Sequence, residues 1–205
     1  MTGTPGVGAE PDLVSVVLPV YNGDRWLAEA IDSVLGQTYR PLELIVVDDG
    51  SSDGSSGILV RSPQVISIHQ ANAGCAVARN RGIAAARGAF IAFIDQDDRW
   101  TPGKLAIQVE HLRTHPELGY VLGRQRTFLE PGFSKPSWLV AALLDRPHAG
   151  YLPGTLLVRR TTLDEVGHFD PSLRIGSDTD WVPARSGRGG GHGRGRCDRA
   201  GEARP

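Results

Sequence analysis

Four short apolar runs, each followed by a segment of helical character, constrain the fold of this chain more than any other feature. The runs are Leu13–Val20, Leu42–Val47, Val65–His69 and Ala89–Ile94, and each is predicted to form a strand. The first is β-branched and almost uninterruptedly apolar, as expected for a strand covered on both faces, and the second is also predicted to be buried. Helices are predicted from Trp26 to Leu35, over Ser55–Ser62, over Cys75–Ala86 and after Pro102. This alternation predicts an α/β fold with a mostly parallel central sheet flanked by helices.

The regular alternation weakens after His115-Pro116. Strands are predicted at Tyr120–Leu122 and Tyr151–Val158, and helices at Trp138–Leu144 and Thr161–Val166, the last one ended by Gly167. The tail after Trp181 is rich in Gly and Arg and contains almost nothing that can be buried. Burial therefore could not offset the entropy lost on ordering it. We expect a disordered N-terminus at 1–12, one globular domain at 13–182 and a disordered tail at 183–205.

Composition narrows the classes of partner and compartment. The formal charge of −1 over 205 residues gives no basis for attraction to nucleic acid or to an anionic membrane. No apolar run approaches the roughly 18 residues that span a bilayer, and two cysteines do not make a disulfide framework. We expect a cytoplasmic protein without an integral membrane segment, and leave open peripheral association with the inner face of the membrane. RNA binding by the Arg-Gly tail is a weaker alternative.

An acidic cluster follows the fourth predicted strand. Asp95, Asp97 and Asp98 lie within four positions, and Asp95 and Asp97 point the same way if strand geometry persists. Carboxylates this close raise one another's pKa unless a cation compensates them, and oxygen ligands favour Mg²⁺, Mn²⁺ or Ca²⁺. The alternative is an acidic turn after a buried strand. An EF-hand calcium loop is excluded because Trp100 and Ala106 stand where Gly and Glu are needed.

Polar loops follow three of the predicted strands and would meet at one edge of the sheet. They begin at Tyr21, Asp48 and Asp95. Ligands of such sheets bind beyond the carboxyl ends of the strands. Neither a phosphate-binding G-x-x-x-x-G-K-[ST] loop nor a G-x-G-x-x-G turn is present in the sequence.

Four segments together resemble a known family. They read VSVVLPVYNGDRWLAEAIDSVLGQTY, ELIVVDDGSSDGS, NAGCAVARNRGIAAARGAFIAFIDQDDRW and HFDPSLRIGSDTDW. In order and spacing they are similar to the inverting family 2 glycosyltransferases of the GT-A fold, over roughly Val14 to Trp181. The Q-x-x-R-W motif of processive polysaccharide synthases is absent, so a processive synthase is not expected.

The resemblance implies a donor site. Asp49 corresponds to the aspartate that pairs with the nucleotide base, usually uracil, in a pocket lined by Pro19 and Tyr21. Arg79 corresponds to the basic residue near the nucleotide. Competing interpretations are that Asp49 is only a turn residue and that Arg79 is a solvated helix residue.

The resemblance also implies a metal and a catalytic base. Asp95 and Asp97 match the D-x-D motif, in which Asp97 would hold a Mg²⁺ or Mn²⁺ ion that bridges the sugar diphosphate. Asp178 matches the family's catalytic base, with Asp180 as the reserve candidate and a helix cap as the competing interpretation. Trp26 and Trp100 are expected to be packing residues.

The expected activity is metal-dependent, inverting transfer of a sugar from a nucleotide diphosphate sugar, usually UDP-linked. The acceptor would be a glycan, a lipid or a small molecule, as in synthesis of cell-envelope polysaccharide. The sequence departs from the family pattern after Asp178, so a truncated, catalytically silent nucleotide-sugar-binding module is the alternative.

Overall fold

The computed structural model of the chain describes residues 9–129, 132, 134–137, 139, 144, 146–150, 153–172 and 200–202. The strands are β1 (Glu10–Val20), β2 (Leu42–Asp48), β3 (Ile66–His69), β4 (Gly88–Phe93), β5 (Tyr120–Leu122), β6 (Arg124–Gln125), β7 (His148–Ala149), β8 (Leu156–Arg159) and β9 (Ala200–Glu202). The helices are α1 (Leu27–Leu35), α2 (Ser55–Val60), α3 (Cys75–Ala85), α4 (Lys104–Thr114) and α5 (Arg160–Val166), and Pro153–Thr155 form a 3₁₀ turn.

A seven-stranded sheet in the order β3-β2-β1-β4-β8-β5-β9 organises the domain. β1 pairs in parallel with β2 and β4, and β2 pairs in parallel with β3. β8 runs antiparallel to both β4 and β5, which makes the far half of the sheet mixed. The predicted α/β fold with a mostly parallel sheet is therefore confirmed.

The core lies on both faces of the sheet. Val14, Val16 and Leu18 of β1 pack in one cluster with buried side chains of α1 and α4. Val17 lies on the opposite face, in a second cluster with residues of α3 and α5. Because successive side chains of a strand point to opposite faces, a strand covered on both faces is apolar along almost its whole length, as the first predicted strand is apart from Ser15.

Helix α3 lies directly against β1. A Cβ atom built on Gly82 would stand 2.3 Å from Cγ1 of Val17, well inside any normal contact distance. Only glycine therefore allows this helix to approach the central strand so closely. The approach matters for function because α3 carries Arg79.

Two predicted elements in the second half differ from the structure. β8 begins only at Leu156, since Pro153–Thr155 form a 3₁₀ turn, and Tyr151 lies outside the described residues. Most of the predicted helix Trp138–Leu144 also lies outside them. Leu144 itself makes a parallel β-bridge with Thr127, so the helix prediction is wrong at that residue. A short apolar run fits a strand or a helix equally well, and here the tertiary partner decides.

Two predicted boundaries also differ. β1 begins at Glu10, inside the segment expected to be disordered, because Glu10 N–H donates to the carbonyl of Arg87 at 3.0 Å and its carboxylate pairs with Arg87 at 3.2 Å. Ala200–Glu202, placed in the disordered tail, pair in parallel with β5 as β9. Backbone pairing on a sheet edge needs no apolar side chain, which is why composition did not indicate it. Within the described part of the chain, no helix is both long and apolar enough to cross a bilayer.

Candidate active site

The carboxyl ends of β2, β1 and β4 stand side by side in the sheet, so the loops that follow them meet at one edge. We call them the first loop (residues 21–26, after β1), the second loop (residues 49–54, after β2) and the third loop (residues 94–103, after β4). The convergence expected from the sequence is therefore present.

Reciprocal hydrogen bonds join the first loop to the residues after β2. The N–H of Asn22 donates to Oγ of Ser51 at 3.0 Å, and Oδ1 of Asn22 accepts from the N–H of Ser52 at 2.8 Å. The N–H of Gly23 donates to Oγ of Ser55 at 3.0 Å. Asn22 has a φ of 50°, in the left-handed region that asparagine tolerates better than most residues. The serines of this segment thus hold the turn that follows Tyr21.

Gln96, the middle residue of D-x-D, joins the third loop to the first. Its Oε1 accepts from the N–H of Tyr21 at 2.9 Å, and its Nε2 donates to the carbonyl of Tyr21 at 3.3 Å. A Cβ atom on Gly23 would lie 2.6 Å from Oε1 of Gln96, so glycine leaves room for this amide. Tyr21 itself remains 49% exposed at the edge of the sheet.

Asp49 is almost fully buried, at 3% exposure, and its carboxylate already has three protein donors. Oδ1 accepts from Nε2 of Gln70 at 2.7 Å and from the N–H of Ala73 at 2.9 Å, and Oδ2 accepts from the N–H of Gly74 at 2.8 Å. The carboxylate therefore fixes the loop that leads into α3. Since a carboxylate has about four acceptor positions, these three donors leave one position unused.

The neighbouring acid, Asp48, has a structural role. Its carboxylate accepts from the N–H of Ser51 at 2.9 Å and from Oγ of Ser56 at 3.3 Å, and it contacts Nδ1 of His69 at 3.1 Å. Burial alone would raise the pKa of Asp48, but hydrogen bonds from Ser51, His69 and Ser56 outweigh it and hold the pKa below its ordinary value. Asp48 thus secures β3 and the second loop, while Asp49 contacts the start of α3.

Arg79 is buried to 1% exposure, so its interpretation as a solvated helix residue is wrong. Its Nη2 donates to Oδ1 of Asp95 at 2.7 Å, and its guanidinium stands 5.2 Å from the ring centre of Phe169. A buried cation beside one carboxylate compensates the charge of that carboxylate. Arg79 therefore neutralises Asp95 from inside the domain.

The acidic cluster forms a turn and not a continued strand. β4 ends at Phe93, and the N–H of Asp98 donates to the carbonyl of Asp95 at 3.1 Å, so strand alternation does not orient these carboxylates. Burial of the carboxyl group, together with the charges of Asp95 and Asp97, raises the pKa of Asp98 to about 6. Asp98 still exposes part of its surface, so neighbours crowd it without enclosing it. Since Arg79 compensates Asp95, excess negative charge remains on Asp97 and Asp98.

These residues fit a divalent cation that is shared with a substrate. Among the described residues, no group of three or more His, Cys, Asp or Glu side chains is placed to hold a metal by itself. Mg²⁺ is often bound by one or two carboxylates, with substrate phosphates and water completing its coordination. Exposed Asp97 offers such a carboxylate beside the crowded carboxyl group of Asp98.

The predicted catalytic base, Asp178, and its reserve, Asp180, lie outside the described residues. The chain that leads toward them is anchored at Phe169. Nδ2 of Asn80 donates to the carbonyl of Phe169 at 2.8 Å, and the N–H of Phe169 donates to Oδ1 of Asn80 at 3.0 Å. The Phe169 ring meets Phe93 edge-on at 5.2 Å between centres.

Sequence reasoning assigned no role to Asn80 or Gln96. Each amide contacts the main chain of a residue 89 or 75 positions away, and no local sequence pattern indicates such a pairing.

Two other residues singled out in the sequence, Pro19 and Trp100, can also be placed in the structure. Pro19 is buried within β1 beside the exposed Tyr21. Trp100 is a packing residue as expected, 9% exposed, with Nε1 donating to the carbonyl of Gly154 at 3.1 Å.

The fold and the loop cluster define an α/β domain of the GT-A type. Solved structures share this fold. One is a crystal structure of S. aureus TarS in complex with UDP, with a TM-score of 0.65 and 22% identity, covering 82% of this chain and 53% of that one. Another is the mannosyltransferase PcManGT from Pyrobaculum calidifontis in complex with GDP-Man and Mn²⁺, with a TM-score of 0.59 and 24% identity, covering 82% of this chain and 50% of that one.

Proteins of similar sequence identify the family to which the chain belongs. The model described as glycosyl transferase family 2 matches residues 15–177. An uncharacterized glycosyltransferase of Rickettsia typhi is 34% identical over 181 residues, which cover 82% of this chain and 57% of that relative. The chain thus spans little more than half the length of that relative. It belongs to glycosyl transferase family 2, a family of enzymes.

Proposed function

We propose that this chain carries the donor site of an enzyme that transfers a sugar from a nucleotide diphosphate sugar to a hydroxyl acceptor. The observation that carries the proposal is the meeting of buried Asp49, exposed Tyr21 and exposed Asp97 at the joined loops after β2, β1 and β4. The base would lie against Tyr21 and above Pro19, with Asp49 accepting from a base N–H. Uracil, the base that the family resemblance implies, has such an N–H at N3, so the proposed donor is UDP-linked.

The diphosphate would lie beside the acidic turn. When bound there, Mg²⁺ or Mn²⁺ would neutralise the charge that builds on the leaving nucleoside diphosphate. Asp97 would hold this ion, with Asp95 near it. Arg79 keeps Asp95 compensated, which limits repulsion between that carboxylate and the phosphates.

Transfer would proceed with inversion at the anomeric carbon. The acceptor oxygen forms the new bond to that carbon as the bond to the diphosphate oxygen breaks, and the acceptor proton passes to Asp178. This role for Asp178 rests on the resemblance of the SDTDW segment. The acceptor is proposed only as a class, namely a hydroxyl group of a glycan, a lipid or a small molecule.

Calorimetric titration of UDP, with GDP in parallel, tests the donor site. UDP should bind more tightly with Mn²⁺ than without it, and Asp97→Ala should remove this enhancement. A loss of about tenfold in affinity corresponds to about 1.4 kcal/mol. Asp164→Ala, which removes an exposed carboxylate on α5, is the matched control and should bind as the wild type does. Tighter binding of GDP than of UDP would refute the uracil assignment, and binding of neither nucleotide would refute the donor site.

Slow hydrolysis of a donor tests the chemistry without a known acceptor. UDP release from UDP-GlcNAc should depend on added Mn²⁺ and fall in Asp178→Asn, while UDP binding by that variant stays unchanged. The contrary result, equal release by wild type and Asp178→Asn, would remove Asp178 from the mechanism.

A further inference from the structure

The main chain of Tyr21 is held by hydrogen bonds from another loop. Tyr21 is 49% exposed, and it follows β1 at the edge of the sheet where the three loops meet. Both backbone polar groups of Tyr21 contact the Gln96 amide, at 2.9 Å and 3.3 Å. The next residue, Asn22, is held by Ser51 and Ser52 of the second loop. The position of the ring therefore depends on contacts that come from two other loops.

Gln96 also stands between the two carboxylates of D-x-D. Asp95, on one side, is fixed by the buried guanidinium of Arg79 at 2.7 Å. Gln96 therefore connects the main chain of the first loop to a part of the third loop that the Arg79–Asp95 ion pair holds in place. A displacement of either loop would change the distance between the Tyr21 ring and the Asp97 carboxylate.

We propose that Gln96 is a positioning residue, which holds Tyr21 in place for the nucleotide base relative to the carboxylates that face the diphosphate. The inference rests on the proposed donor site and adds to it a determinant of nucleotide affinity. Gln96 acts through the main chain of Tyr21 and does not itself touch the nucleotide.

The chemistry of an amide suits this role better than that of a carboxylate. The amide of Gln96 accepts from one backbone group of Tyr21 and donates to the other. In Gln96→Glu, the carboxylate can still accept from the Tyr21 N–H but cannot donate to its carbonyl. The substitution also adds a fourth negative charge to the Asp95, Asp97 and Asp98 turn. Gln96→Glu should therefore keep one of the two hydrogen bonds to the Tyr21 main chain, and Gln96→Ala should lose both.

UDP affinity in the presence of Mn²⁺ gives the main test. Gln96→Ala should weaken binding about tenfold, the effect expected when an interaction of one or two hydrogen bonds is removed. In a Tyr21→Ala background the same substitution should weaken binding less than about twofold, because the ring it positions is gone. Gln64→Ala is the matched control, since Gln64 is an exposed glutamine before β3, at the opposite edge of the sheet.

Amide hydrogen exchange of the nucleotide-free protein gives a second readout. The Tyr21 amide should exchange faster in Gln96→Ala than in the wild type, with Gln96→Glu between them and the midpoint of thermal unfolding little changed. Unchanged UDP affinity in Gln96→Ala, or equal losses in the wild-type and Tyr21→Ala backgrounds, would overturn the positioning role. Failure of the wild type to bind UDP or GDP would instead overturn the donor site itself.

Discussion

The close approach of α3 to β1 predicts that one helix glycine cannot be replaced by alanine without loss of stability. In Gly82→Ala the new methyl group would meet Cγ1 of Val17 at 2.3 Å, Cγ2 at 3.1 Å and Cβ at 3.3 Å. Rotation of the Val17 side chain does not solve the problem, because both methyl groups and Cβ are close and the residue is fully buried. The helix or the strand must therefore move.

The size of the effect follows from two opposing contributions. Replacing a helix glycine by alanine favours the helix by about 1 kcal/mol. Forcing an extra methyl group into a well-packed core costs about 1–3 kcal/mol, and a contact this short belongs at the upper end. The free energy of unfolding of Gly82→Ala should thus fall by about 2 kcal/mol, as the difference of the two contributions.

Gly57 in α2 provides a matched control for the same chemical change. A Cβ atom at Gly57 would find only Nη1 of Arg61 at 3.5 Å, an ordinary contact with a flexible side chain. Gly57→Ala should therefore raise the free energy of unfolding by about 0.5–1 kcal/mol. Urea denaturation with linear extrapolation measures both variants against the wild type.

The assignment of the loss to Val17 can be tested separately. In a Val17→Ala background the methyl groups that obstruct residue 82 are absent, so Gly82→Ala should then be neutral or stabilising. If Gly82→Ala stabilises the wild-type chain as Gly57→Ala does, the close packing of α3 on β1 is refuted.

Two further predictions concern polar networks that join distant parts of the chain. Asn80→Ala should lower the free energy of unfolding by about 1–3 kcal/mol, because both backbone groups of Phe169 lose their partner. Asn80→Asp should lose less stability, since it keeps one acceptor. Equal stability of the wild type and both variants in urea would contradict this prediction. Burial would raise the pKa of Glu43, but hydrogen bonds from Ser15 and Arg87 hold this pKa below its ordinary value of 4.5. The ionised Glu43 carboxylate therefore contributes stability above that pH, and this contribution is lost as the pH falls through the lowered pKa. Glu43→Gln should flatten this acid dependence in urea titrations between about pH 5 and pH 2, with Glu117→Gln, an exposed acid, as the control; an unchanged slope would exclude Glu43 as its source.

Much of the parallel half of the fold was readable from local pattern. The run from Leu13 to Val20 is almost entirely apolar because both of its faces are covered, and the spacing of apolar residues after Trp26 reports the buried face of α1. The loops after β1, β2 and β4 could be placed together because carboxyl ends of neighbouring parallel strands share one edge. Asp95 and Asp97 became candidates because they follow a predicted strand at this edge, whereas Asp49 became one through the family resemblance.

The second half was less predictable for a physical reason. Leu144 pairs with Thr127, and Ala200–Glu202 pair with β5, through backbone groups that every residue carries. Which segments pair depends on which edge is available, and side-chain pattern contains little information about that.

The sequence by itself determined which residue types stand at the strand ends, and hence the family and the proposed chemistry. Tertiary structure alone decided what each of them contacts. Arg79 turned out to be buried against Asp95, and Gln96 to hold the main chain of Tyr21. Burial and periodicity are local properties that a sequence records residue by residue. A contact between positions 75 residues apart exists only after the strands have paired, so it became visible only in the folded domain.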